Sequence, residues 1–154
     1  MQEVLRRPAY VYKKELLKIP FYGWYVKIMS GIALDRKGGA KALRTMVKQV
    51  KDYVANGQNV IIFPQGTRVP VGADTKKYPY QPGIVGLYTN CKIKVVPAAL
   101  NSGMLWGRSK NIKRSGTITL EFLDPIEPGL PREEFLKKLE NAIETRSNKL
   151  CNIN

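Results

Sequence analysis

Apolar residues recur along the chain with a changing period, and the changes mark the elements. Leu43, Met46, Val47, Val50 and Val54 follow the i, i+3, i+4 spacing of an amphipathic helix. This predicts a helix from Ala40 to Ala55, stopped by Asn56-Gly57. Asn59-Val60-Ile61-Ile62-Phe63 is a continuous apolar run, the pattern of a strand buried on both faces, and Ile93 to Leu100 repeats it. Gly31 to Asp35 reads as a short strand, and Tyr12 to Leu17 with Phe21 to Met29 as two short helical pieces broken at Pro20. A polar loop with Pro and Gly runs from Pro64 to Pro82, ahead of a helix over Gly83 to Asn90. Thr117 to Phe122 alternates, which predicts a strand with one wetter face. The last helix opens with Pro131 at its first position and Glu133 and Glu134 in its first turn, and aligns Phe135, Leu136, Leu139 and Ile143. Strands alternating with helices predict an α/β fold: a single domain, residues 1–154, with a mostly parallel buried sheet flanked by helices. Ligands in such sheets sit at the C-terminal ends of the strands.

Composition narrows the chemistry. The 154 residues include 26 Lys and Arg, 12 Asp and Glu, two Cys and no His, for a net charge of +14. Without an imidazole no Ser-His-Asp or Cys-His device can be assembled from these residues. Cys91 and Cys151 are too few and too far apart for a disulfide framework or a cysteine zinc site. The basic excess is front-loaded, with 11 basic and 3 acidic residues in positions 1–50. That predicts an anionic partner: membrane phospholipid, a phosphate ester or nucleic acid. No recognised nucleic-acid motif appears and the cations are spread over the whole chain, so no specific nucleic acid is expected. No stretch is long and apolar enough to span a bilayer, and the N-terminus lacks the apolar core of a signal peptide.

Phe63-Pro64-Gln65-Gly66-Thr67-Arg68 carries the most chemistry. It leaves a predicted strand and turns at once, with Gly66 free to approach a ligand closely or take positive φ. Thr67 adds a hydroxyl, and Arg68 a planar fork that matches phosphate oxygens in pairs. An ordinary turn with a solvated arginine is the alternative. Gly31 to Arg36 is a second strand end, where Arg36 could meet phosphate with Asp35 beside it. Lys13-Lys14-Glu15-Leu16-Leu17 and the following Ile19-Pro20-Phe21-Tyr22-Gly23-Trp24-Tyr25 mix cations with aromatics. Such a segment can lie in an anionic membrane surface, or Phe21, Trp24 and Ile28 can be core residues at helical spacing. Val95-Val96-Pro97 ends a predicted strand at the small-residue loop Asn101-Ser102-Gly103, which can wall an acyl-chain groove or simply turn the chain.

Four of these segments, in order, resemble the 1-acyl-sn-glycerol-3-phosphate acyltransferases. Lys13-Lys14-Glu15-Leu16 with Pro20 and Gly23 resembles the family's Lys-x-Glu-Leu helix and Pro-Phe-x-Gly turn, and Gly31 through Arg36 its Asp-Arg motif. Phe63 through Arg68 resembles Phe-Pro-Glu-Gly-Thr-Arg, and Val95-Val96-Pro97 with Asn101-Ser102-Gly103 and Trp106 the fourth motif. Gln65 stands where the family has Glu. The resemblance implies a glycerolipid acyltransferase-like fold lacking its first strand and helix portion. It implies acylation of lysophosphatidic acid to phosphatidic acid in phospholipid biosynthesis, at the cytoplasmic face of a membrane as a peripheral protein. The acyl-thioester donor would be acyl-CoA or acyl carrier protein, with no cofactor and no metal. Arg68, Thr67, Gly66, Arg36 and Lys13 would bind the substrate phosphate, with Gln65 and Pro97 in secondary roles. The family's catalytic His-x-x-x-x-Asp lies upstream of the Lys-x-Glu-Leu helix and is missing here, so an N-terminally truncated chain with impaired transfer is expected and no residue is assigned a catalytic role. The alternative is a non-catalytic module that binds lysophospholipid or an anionic membrane.

Overall fold

The computed structural model describes residues 8–28, 31–35, 38–107 and 114–153. They fall into two compact units, Met1–Phe63 and Pro64–Asn154. The first is a parallel sheet. Its strands β1 (Ala9–Lys13), β2 (Gly31–Leu34) and β3 (Val60–Ile61) lie in the order β2-β1-β3. The register pairs Tyr10 with Gly31 and Lys13 with Leu34 on one side, and Ala9 with Val60 on the other. A 3-10 turn (Lys14–Lys18) and α1 (Tyr22–Ile28) connect β1 to β2, and α2 (Gly39–Ala55) connects β2 to β3.

The α2 helix forms where the apolar spacing predicts it, and Gly57 beyond its end takes φ +70°. Its Met46 and Val50 are buried, as are Ala9, Ile32 and Val26, and together these supply the core of this unit. Tyr53 fixes the helix end to the sheet: its hydroxyl accepts from the Gly31 N–H at 3.1 Å. Gly23 is buried against the preceding turn, donating its N–H to the Ile19 carbonyl at 2.7 Å. A Cβ at Gly23 would collide with the Leu17 carbonyl oxygen.

The second unit contains α3 (Pro82–Cys91), β4 (Ala98–Leu100), the short α4 (Ser102–Leu105), β5 (Leu120–Phe122) and α5 (Arg132–Leu150). The strands β4 and β5 pair antiparallel, Ala99 opposite Glu121. The core is built from Ile84, Leu87 and Tyr88 of α3, Ala99 of β4, Ile126, and Phe135 and Leu139 of α5. The Tyr88 and Phe135 rings stack at 3.7 Å and 3°, which adds about 1 kcal/mol to their burial. The Tyr88 hydroxyl donates to the Glu127 carbonyl at 2.6 Å and accepts from the Leu130 N–H at 3.0 Å, so its buried polar atom is satisfied.

Several expectations are corrected. The piece expected over Tyr12 to Leu17 is helical only from Lys14, as a 3-10 helix, while Tyr12 and Lys13 end a strand, because pairing of Ala9–Lys13 with Gly31–Leu34 holds those two residues extended. The apolar run 59–63 pairs only at Val60 and Ile61, and Phe63 is 59% exposed rather than buried on both faces. The run 93–100 is a strand only from Ala98, after an isolated bridge from Val95 to Ile126, and it pairs antiparallel. Pro97 has no N–H to extend the ladder. Of residues 117–122 only Leu120–Phe122 pairs, and Ile118, Leu120 and Phe122 are exposed. Pro131 caps α5 from just outside the helix rather than opening it. Phe21, Trp24 and Ile28 are not core residues. No described helix is long and apolar enough to cross a membrane.

Candidate functional site

In the first unit the parallel strands β1 and β2 end together, Lys13 beside Leu34, while β3 ends earlier, with Ile61 opposite Tyr10. Lys13 is exposed there, as the last residue of a strand rather than part of a helix. Beside it Lys14 Nζ meets Asp35 Oδ2 at 3.3 Å, which ties the end of β1 to the end of β2. Both groups are largely in water, so the pair contributes under about 1 kcal/mol. Asp35 is thereby engaged by Lys14; Arg36, expected beside it, lies outside the described residues. A concavity of about 270 Å³ lined by Gln49, Asp52, Tyr53, Asn56 and Gln58 opens at the C-terminal end of α2. The helix leads back to the start of β3, so this hollow lies at the edge away from the strand ends where α/β sheets bind ligands.

The second unit begins with the turn expected to hold phosphate. Pro64 and Gln65 are half-buried, Gly66 takes φ +62°, and Thr67 and Arg68 are exposed. Left-handed backbone is strain-free for glycine alone, and it reverses the chain within one residue. Two contacts close the loop behind the turn. The Gln81 N–H donates to the Pro64 carbonyl at 2.8 Å, and Gln65 Nε2 reaches the Tyr78 carbonyl at 3.5 Å. A carboxylate at position 65 has no donor for that carbonyl, so the Gln is suited to this loop in a way that Glu is not. The ion pairs among the described residues join Lys14 to Asp35, Lys94 to Glu127 and Arg146 to Glu121, and Arg68 is in none of them. It is exposed next in sequence to the exposed Thr67, and a guanidinium fork is able to take two oxygens of a phosphate.

Further contacts brace this unit. Val71, just beyond the turn, packs against the backbone of Gly103: its Cγ2 lies 2.8 Å from the position a Cβ would occupy there. Asn101 pins the same segment, its Oδ1 accepting from the Thr119 N–H at 2.8 Å while Nδ2 donates to the Thr117 carbonyl at 3.3 Å. Thus the loop of the phosphate turn and the Asn-Ser-Gly segment meet, with Pro97 buried just upstream and accepting from the Leu123 N–H at 2.9 Å. Tyr80, at the end of the loop, is buried and donates from its hydroxyl to Glu144 Oε1 at 2.9 Å. Burial, and then the Glu144 carboxylate, push the Tyr80 phenol far up, so it stays protonated and keeps donating. No sequence signal pointed to Tyr80 and Glu144, since a pair 64 positions apart has no local pattern.

Cys91 and Cys151 are both buried and outside any disulfide, and burial pushes the Cys151 thiol up, away from the thiolate a nucleophile needs. Among the described residues no group of three or more Cys, Asp or Glu is arranged to hold a metal ion.

Comparison with known proteins gives the family. The acyltransferase family model matches residues 1–101, a span that contains Lys13, Arg36, the turn from Gln65 to Arg68, and Pro97. A 1-acyl-sn-glycerol-3-phosphate acyltransferase of Pseudomonas aeruginosa is 39% identical over 108 residues, 70% of this chain and 41% of its own. One of Helicobacter pylori is 28% identical over 137 residues, covering 88% of this chain and 56% of its own. The crystal structure of the 1-acyl-sn-glycerophosphate acyltransferase PlsC from Thermotoga maritima superposes with a TM-score of 0.72 at 25% identity, covering 94% of this chain and 57% of that one. The chain thus spans about two fifths of the Pseudomonas relative's length. With the family match over most of its residues, the α/β architecture and the glycine-arginine turn in their expected order, the chain belongs to the acyltransferase family.

Proposed function

We propose that this chain is the substrate-phosphate portion of a lysophosphatidic acid acyltransferase acting in phospholipid synthesis. The Gly66-Thr67-Arg68 turn receives the phosphate of 1-acylglycerol-3-phosphate, and Arg68 takes two of its oxygens. The free glycerol hydroxyl then attacks the carbonyl carbon of an acyl thioester of coenzyme A or acyl carrier protein. The new ester C–O bond forms, the C–S bond breaks, and the hydroxyl proton leaves with the released thiol as its final acceptor. The observation that carries this reading is Arg68 itself, an exposed residue outside the ion pairs of the described residues, two positions after a left-handed glycine. The names of the relatives support the choice of substrate.

The 154 residues contain no imidazole to accept the hydroxyl proton. A positioned general base contributes about 10²–10⁴-fold, so transfer by these residues alone is proposed to be slow. That absence also favours a second reading, a lysophospholipid-holding module without turnover. Thioester release in the presence of lysophosphatidate separates the two. Slow, lysophosphatidate-dependent release that Arg68→Ala abolishes supports the enzyme, and binding with no release supports the module. Neither binding nor release overturns both. Release at an ordinary enzymatic rate keeps the enzyme and overturns the proposed impairment.

A further inference from the structure

The first unit carries an apolar surface that its own fold leaves in water. Ile19, Phe21, Tyr22, Trp24, Tyr25 and Ile28, in and just before α1, are all exposed, Phe21 at 89% and Trp24 at 70%. Among the described side chains of residues 19–28, Gly23 and Val26 are the buried ones. Single exposed apolar side chains are ordinary, but six in one short segment form a patch of the kind that marks an interaction surface. The backbone adds to this. Phe21 has φ +62°, a left-handed conformation that costs a bulky residue about 1 kcal/mol, and it is spent where the ring faces solvent.

The chemistry of the patch identifies its occupant. Trp and Tyr have amphipathic rings that settle at the headgroup level of a bilayer. Lys13 and Lys18, both exposed and outside the ion pairs of the described residues, lie in the same stretch with Lys14, which pairs with Asp35, and Glu15 is the one carboxylate in residues 8–28. A second copy of the chain would bring the same lysines face to face, whereas anionic lipid neutralises them. At seven residues α1 is about 10 Å long, far short of a bilayer's hydrocarbon core, so it lies on the surface rather than crossing.

We propose that the segment from Lys13 to Ile28 is an interfacial anchor: its aromatic face beds into the headgroup layer of an anionic bilayer, and its lysines hold the lipid phosphates. This goes beyond the acyl-transfer reading and needs neither donor nor acceptor substrate, so the two can fail separately.

The test is flotation of the 154-residue chain with vesicles of phosphatidylcholine alone or mixed with phosphatidylglycerol. The chain is expected to float with the anionic vesicles. Phe21→Gly suits the left-handed backbone and should keep its melting temperature while partitioning falls about tenfold, the effect of one lost apolar side chain. Trp24→Gln should do the same, and Lys18→Gln should cost about fivefold on anionic vesicles only. In a Trp106→Phe chain the remaining indole, Trp24, should be quenched by brominated lipid. The proposal is overturned by a chain that does not float, by Phe21→Gly partitioning like the parent, or by a Trp24 that brominated lipid leaves unquenched in the Trp106→Phe chain. It is equally overturned if sedimentation shows a dimer that Phe21→Gly dissociates and no lipid is bound.

Discussion

The backbone N–H of Gln81 donates to the carbonyl of Pro64 at 2.8 Å, so the loop that carries Arg68 returns to its own starting point. What the turn offers a ligand is therefore held by its far end as well as by Gly66. Arg68 itself supports nothing in that closure, since no described ion pair uses it. Binding and stability are separable at this position. Arg68→Ala should leave the unfolding free energy from urea titration within about 0.5 kcal/mol of the parent, as exposed substitutions do, and an unfolded variant would show that the guanidinium is structural.

Gly66→Ala should behave differently. Left-handed backbone costs an alanine about 1–2 kcal/mol, and relaxing it re-aims the residues that follow. Thermal melts should show the loss of stability, and lysophosphatidate binding should weaken with it. A variant indistinguishable from the parent in both would mean that the turn does not need φ +62°.

The Tyr80 hydroxyl anchors the loop to α5 through Glu144 at 2.9 Å. Tyr80→Phe keeps the buried ring and removes the donor, so a loss of about 1 kcal/mol is expected, together with faster amide exchange in residues 64–81. Unchanged exchange would assign the anchoring to packing alone.

Glu140 gives a pH dependence. Burial, and then Glu144 one turn along α5, hold its carboxyl above the ordinary glutamate range. A carboxyl raised in the folded state contributes fully below its unfolded value and loses that contribution as pH rises through the folded one. Stability carried by this group therefore falls from the ordinary glutamate range upward. Glu140→Gln should flatten that slope and stabilise the chain at neutral pH by about 0.3 kcal/mol, the size of a like-charge pair spaced one helical turn apart. Urea midpoints at acidic and neutral pH read it, and an unaltered slope would contradict it.

The patterns that were legible in the sequence were local ones. The spacing from Leu43 to Val54 is complete within one helix, and the Pro64 to Arg68 turn is written in its own residues. The strand Ala9–Lys13 was not legible because its cause is elsewhere in the chain: it exists by pairing with Gly31–Leu34 and Val60–Ile61. Lys13 was accordingly expected on a helix and is found at a strand end. Phe21, Trp24 and Ile28 have the spacing of a core face, and spacing does not say which face of a short helix meets the sheet. Gly23 settles that, because only a residue without Cβ fits against the Leu17 carbonyl.

The central claim is that Arg68 grips the substrate phosphate, and isothermal titration of the chain with a short-chain lysophosphatidate tests it most directly. The account predicts saturable binding that Arg68→Ala weakens about ten- to hundredfold, the worth of hydrogen bonds to a charged group. Equal affinity of the chain and the variant would contradict it.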